Sequence, residues 1–229
     1  MFVGHYAASF ALKPVAGRLS LGWLFLAAQF VDILFFPLSL LGIEKFNFVE
    51  NYTASTHFEL VFMPYTHSLV ASFIWAGLVF FAAKRIFRNA TNATRIGLVA
   101  ALVVVSHWFL DFLVHTPDLP LFSDASTKLG LGLWNYPIVA YLLEAGLFLG
   151  ALFIYLRATQ PVSRAGRYGI ILFAIALLII NAINSFAEPI AKDEITLSII
   201  ALLFYLSFAG VAFWLDGKRI PKAAGSSDG

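Results

Sequence analysis

The chain has 229 residues, 60% of them hydrophobic and 12% charged, with 24 phenylalanines and a mean hydropathy of +0.84; this balance excludes an ordinary soluble domain and points to a polytopic membrane protein. The formal net charge is only +2 and the basic residues are scattered among loops, which argues against nucleic acid as a partner. Cysteine is absent, which excludes a disulfide framework and a thiolate zinc site and leaves imidazole and carboxylate as the only strong metal ligands.

Residues 2–12 are apolar but too short to cross a bilayer, so a short amino-terminal interfacial or re-entrant helix is expected. It is no cleavable signal peptide, because it lacks a basic n-region. Runs of spanning length, about 20 residues each, follow near 20–42, 60–83, 95–116, 134–156, 168–187 and 195–215. Six transmembrane helices in one all-α bundle over residues 1–216 are expected, with Pro64 tolerated in the first turns of the second. Residues 217–229, ending Gly-Ser-Ser-Asp-Gly, read as a disordered cytoplasmic tail.

Lysine and arginine orient the bundle. Lys13, Arg18, Lys84, Arg85, Arg88, Arg95, Arg157, Arg164, Arg167, Lys218, Arg219 and Lys222 fall on one side and only Lys45, Lys128 and Lys192 on the other. Both termini are therefore expected in the cytoplasm, with the acidic loops near 43–57, 117–133 and 188–194 outside.

The costliest residues in such a chain are ionisable groups within the spans, and they mark function by default. His107, Asp111 and His115 recur every four residues, so they fall on one slowly drifting helical stripe. Asp32 in the first span, His67 in the outer half of the second and Glu144 in the fourth lie at compatible depths. No basic residue in its own span neutralises Asp32. A divalent ion, Zn²⁺ first among candidates, accepts imidazole and carboxylate and activates a water. Glu144 would act as general base or hold a liganding imidazole, and His115, at the outer mouth with Asp118, would move protons. The bland alternatives are a hydrogen-bonded histidine and aspartate pair without metal, a Glu144 that bonds across the Gly146–Gly150 packing motif, and an interfacial His5 of no consequence. A second polar stripe, Asn181, Asn184, Ser185 and Glu188, reads first as interhelical hydrogen bonding and second as head-group recognition.

Gly4-His5-Tyr6-Ala7, Asp32, Pro64-Tyr65-Thr66-His67-Ser68 and Ser106-His107-Trp108-Phe109-Leu110-Asp111 resemble the YdjM-like family of bacterial membrane-bound metal-dependent hydrolases, itself distantly similar to zinc-dependent phospholipase C and P1-type nucleases. The resemblance covers roughly the amino-terminal half. It implies a bacterial cytoplasmic-membrane protein, a metal set of His5, Asp32, His67, His107 and Asp111, and hydrolysis of a phosphoester. Met63 and Pro64 stand near where members often carry His-Arg, and Asp32 is the only acid of the first span. One ion held by Asp32, His67, His107 and Asp111, with His5 or His115 completing the shell, is therefore expected.

The function expected is hydrolysis of a lipid-linked or amphipathic ester in an outward-facing intramembrane cavity, with membrane lipid as the partner. An ion or proton translocator would use the same residues as a relay, and a structural membrane protein would use them only to hold helices together. Paired broken helices or inverted repeats, marks of many transporters, are not evident in the sequence.

Overall fold

Where an apolar run lacks breakers it becomes a full span, and where breakers intrude the span is cut. In the computed structural model, which describes residues 1–17 and 19–222, the helices are α1 (His5–Leu12), α2 (Leu21–Ala28), α3 (Phe30–Leu40), α4 (Leu69–Ile86), α5 (Ala93–Val114), α6 (Pro137–Ala158), α7 (Ile170–Phe186) and α8 (Glu194–Asp216). Among the described residues five helices are long and apolar enough to cross a membrane: α4, α5, α6, α8, and α7 counted from Ala165. A π-helical stretch, Ala165–Gly169, supplies the start of that last span. The pair α2 and α3 makes a sixth if its two halves are taken together. The chain is thus all-helical in its core and has the helices of an integral membrane protein.

Two departures from the sequence reading decide where the site lies. The first span is broken at Gln29, and α2 and α3 meet at 49°; Asp32 therefore sits in the first turn of a half-helix rather than in a continuous span. The second span begins at Leu69, nine residues later than expected, because residues 58–62 are a strand. The alternating, β-prone Phe-Glu-Leu-Val-Phe of β2 (Phe58–Phe62) pairs antiparallel with β1 (Lys45–Phe48). Pro64 then lies in a turn, outside the helix, and His67 precedes the α4 cap rather than riding on the helix. Ser68 makes that cap by accepting the Ala71 N–H at 3.1 Å.

The loops segregate to two ends. At one, the β1 and β2 hairpin meets the loop before α6 through Ser55 Oγ donating to Trp134 O at 2.7 Å. It also meets α8 through Phe48 N donating to Glu194 at 2.9 Å. A second small hairpin, β3 (Leu119–Pro120) with β4 (Lys128–Leu129), belongs to the loop following α5. At the other end, β5 (Thr159–Pro161) pairs with β6 (Arg219–Pro221). Asp216 there accepts from Leu21 N at 3.0 Å and from the Tyr155 hydroxyl at 2.9 Å. Residues 217–222, expected to start a disordered tail, are instead held by this pairing; residues 223–229 and Arg18 lie outside the described residues.

Helix packing inside a membrane draws on shape and van der Waals contact rather than on water exclusion. The buried seam where α1, α2 and α6 meet is aromatic: Phe10 packs edge-on against Phe25, Phe148 and Tyr155 at 5.3–5.5 Å between centroids. Each such pair contributes about 0.5–1.5 kcal/mol beyond its contact area. This seam draws the short α1 into the bundle as a half-span, with His5 and Tyr6 buried. Among the described residues nothing packs on the Gly146 and Gly150 pair, since a Cβ added at either meets nothing within 4 Å.

Candidate metal centre

Four imidazoles converge on two carboxylates at the broken end of α2. Asp111, on α5, is the hub: its carboxylate lies 3.1 Å from His5 Nε2, 3.0 Å from His107 Nε2 and 3.4 Å from His115 Nε2, and it accepts the Met1 ammonium. Asp32 lies 3.1 Å from His67 Nε2 and 3.6 Å from His107 Nε2, and its other oxygen accepts the Tyr205 hydroxyl of α8 at 3.1 Å. Asp32 gains from its place in the first turn of α3, where the helix dipole favours negative charge. His5 and His107 stack face to face, 3.7 Å between centroids.

Three of the rings are held from behind through Nδ1. His107 Nδ1 donates to the Ala28 carbonyl at 2.8 Å. His67 Nδ1 meets Thr66 Oγ at 2.8 Å, and that hydroxyl spends its proton on Glu44 at 2.6 Å. His115 Nδ1 meets Asp118 at 2.9 Å. A carbonyl and a carboxylate only accept, and the Thr66 proton is already committed, so each Nδ1 carries a hydrogen. Each Nε2 then turns toward the aspartates with a lone pair, unless it is protonated as well. Lone pairs facing carboxylate oxygens at 3.0–3.6 Å require positive charge among them, supplied by extra protons or by a metal ion.

The residues fit an ion. His5, His107 and Asp111 form one group, and Asp32, His67 and His107 another, each with candidate ligand atoms within 4.8 Å of one another. A tetrahedral site with ligands at about 2.0–2.2 Å sets them about 3.3–3.6 Å apart, close to the imidazole-to-carboxylate separations here. Nε2 of His5 and of His107 are buried and, among the described residues, make no aligned hydrogen bond despite their closeness to Asp111, as suits ligands that share an ion rather than a proton. Buried histidine and aspartate groups that could hold a metal ion are therefore present.

The sequence-derived residues divide as follows. His5, Asp32, His67, His107, Asp111 and His115 are brought together. His115 and Asp118, expected at a solvated mouth, are 3% and 8% exposed, and His115 lies against Trp134 at 4.1 Å between rings. Glu144 is buried, and its Oε2 accepts the N–H groups of Phe2 and Gly4, both at 3.0 Å. It anchors the start of α1, and among the described residues no imidazole lies within ion-pair distance of it. On the second stripe, Asn181 is buried and, among the described residues, neither polar side-chain atom has a partner, so the interhelical bond expected of it is not seen there; Asn184 and Ser185 face the cavity described below.

Several contributors escaped the sequence reading. Glu44, counted only among acidic loop residues, is buried and accepts Tyr65 N, Thr66 N and the Thr66 hydroxyl. A lone acid directly after a span was the available signal. Tyr205 and the Ala28 carbonyl carry no signal in the sequence, and neither does the folding of the Met1 amine into the bundle.

A cavity of about 370 Å³ adjoins the cluster. Asp32, His67, Asp111, His115 and Glu144 form one wall, while Phe35, Phe36, Ile180, Ile183 and Phe204 line much of the rest. His5 and His107 stand behind, leaving one side of the cluster open to an incoming group.

The fold and site together define a helical membrane bundle with a buried histidine and aspartate centre. Comparison with protein-family models, curated proteins and solved structures gives no match.

Proposed function

We propose that this protein is a metal-dependent membrane hydrolase acting on a lipid-linked or amphipathic ester, with a phosphoester first among candidates. The observation that carries the reading is the set of three imidazoles tied back through Nδ1 with their Nε2 atoms turned on two aspartates. His107 would hold the ion, zinc first among candidates, together with Asp32 and His67 or with His5 and Asp111. A divalent ion there would supply Lewis acidity toward an ester oxygen and a water nucleophilic near neutral pH. Asp118 keeps the His115 ring oriented while its Nε2 takes up or gives back a proton at the cavity wall. Glu144, on the same wall, steadies α1 and with it His5. The apolar remainder of the cavity suits an amphiphile, and the acidic loops near it disfavour free polyanions. The lysine and arginine bias supports an outward-facing cavity with both termini cytoplasmic, and the resemblance to the YdjM-like family supports the same residues and a bacterial cytoplasmic membrane.

The test is turnover of lipid phosphates and phospholipids presented in vesicles to the purified protein, read as released phosphate or head group. Activity lost on chelation, restored by Zn²⁺ and absent in Asp111→Asn is expected. No turnover of any lipid ester by fully metal-loaded protein would overturn the reading.

A second reading has one observation in its favour. The break at Gln29 places a half-helix start beside Asp32, a feature the sequence did not reveal and one that transporters use at ion sites. Proton or ion flux in proteoliposomes separates the two.

A further inference from the structure

We infer that the cavity takes the hydrocarbon chain of a membrane lipid, admitted sideways through a seam between α7 and α8. The inference rests on the hydrolase reading and names how its substrate class reaches the centre.

Several walls of the cavity are braced by direct contacts. Between α6 and α7, Tyr141 packs edge-on against Phe186 at 5.5 Å, and its hydroxyl reaches the Leu178 carbonyl at 3.5 Å. Between α3 and α8, Phe36 lies 6.3 Å from Tyr205, whose hydroxyl is tied to Asp32. The β1 and β2 hairpin covers the loop end, with Phe48 and His57 facing inward. By contrast, α7 and α8 meet near the far end, through Phe173 and Phe208 at 6.1 Å and through Gly169, where a Cβ would collide with Leu215. Beyond that point the backbones of the two helices stand apart. Ile183 and Phe204, which line the cavity, remain 48% and 36% exposed.

The seam is flanked by Ile180, Ile183, Ile200 and Phe204, so its chemistry selects what passes. An ionic solute would shed its hydration there with no partner to replace it. A hydrocarbon chain crosses from lipid to protein with little change in surroundings, since lipid tails are as apolar as these side chains. A chain lying along that wall would bring its polar end to Asp32, His67 and His115. A cavity polar at one end and apolar along its length matches an amphiphile.

The chain has no cysteine, so Ile183→Cys with Ile200→Cys introduces the only thiols. The probe is a phosphatidylglycerol with a diazirine at the end of one acyl chain, in phosphatidylethanolamine and phosphatidylglycerol vesicles, with adducts mapped by peptide mass spectrometry. Adducts at Ile180 and Phe204 several-fold above those at outward-facing Phe73 and Phe81 of α4 are expected. Bridging the two thiols with a short bifunctional reagent should remove the first set and spare the second. Equal labelling of both sets, or cavity labelling that survives the bridge, would overturn the inference. Metal content measured in the same samples reports on the hydrolase reading separately: metal retained without cavity labelling sinks only the seam, and cavity labelling without metal sinks only the catalysis.

Discussion

His107 Nδ1 is bonded to the carbonyl of Ala28 at 2.8 Å, and Ala28 is the last residue of α2, at the point where the first span breaks. The last carbonyls of any helix lack an intrahelical partner, and within a membrane each must find one. Here the break frees a carbonyl and the histidine satisfies it, so the same bond stabilises the bend and fixes which His107 nitrogen faces Asp32 and Asp111. Backbone geometry and site chemistry are thus one feature.

The equivalent support for His67 is the Thr66 hydroxyl, relayed from Glu44. Thr66→Val keeps the side-chain shape and removes the hydroxyl. Metal affinity should fall about 10–100-fold, the usual effect of losing a ligand's orienting partner, with helical content unchanged. Titration against a chromophoric chelator measures it, and wild-type affinity would show that His67 is not positioned in this way.

Glu144 serves two N–H groups at the start of α1. Glu144→Gln keeps an acceptor, so α1 should stay seated and metal should be retained; Glu144→Ala should release the segment, with faster hydrogen exchange at Phe2 and Gly4 and weaker metal binding through loss of His5. If hydrolysis falls in the Gln variant while exchange there stays slow, Glu144 also moves a proton. Slow exchange in the Ala variant would contradict the anchoring role.

Gly22 faces α8 at a contact that admits no side chain, because a Cβ there would lie 2.5 Å from Phe213 Cβ and 2.6 Å from the Ala209 carbonyl. Gly22→Ala should destabilise the bundle by about 1–3 kcal/mol through overpacking. Gly146→Ala, which meets nothing within 4 Å, should not destabilise it, and a helix-interior Gly→Ala change can even gain up to about 1 kcal/mol. Unfolding in detergent by denaturant compares the two, and equal behaviour would contradict the α2 and α8 packing.

Five of the six expected spans were legible as continuous helices because apolar length is a physical requirement of the bilayer, and the convergent histidines and aspartates stood out because ionisable groups are rare there. The start of the second span was not legible: Phe58 to Phe62 is apolar enough for helix and strand alike, and only pairing with Lys45–Phe48 decides between them. The break at Gln29 carries neither proline nor glycine, so it follows from tertiary partners such as His107. Glu144 could be placed at the right depth but not given its partners, since the inward fold of residues 1–4 depends on the aromatic seam around Phe10.

The most direct test is elemental analysis of the purified protein beside His107→Ala, both prepared without chelator. About one zinc or other divalent ion per chain, lost in the variant while it stays folded in detergent, is the expected result for one three-ligand group built on His107. No metal above the variant's background would contradict the account, leaving the histidine and aspartate cluster as a protonated hydrogen-bonded network.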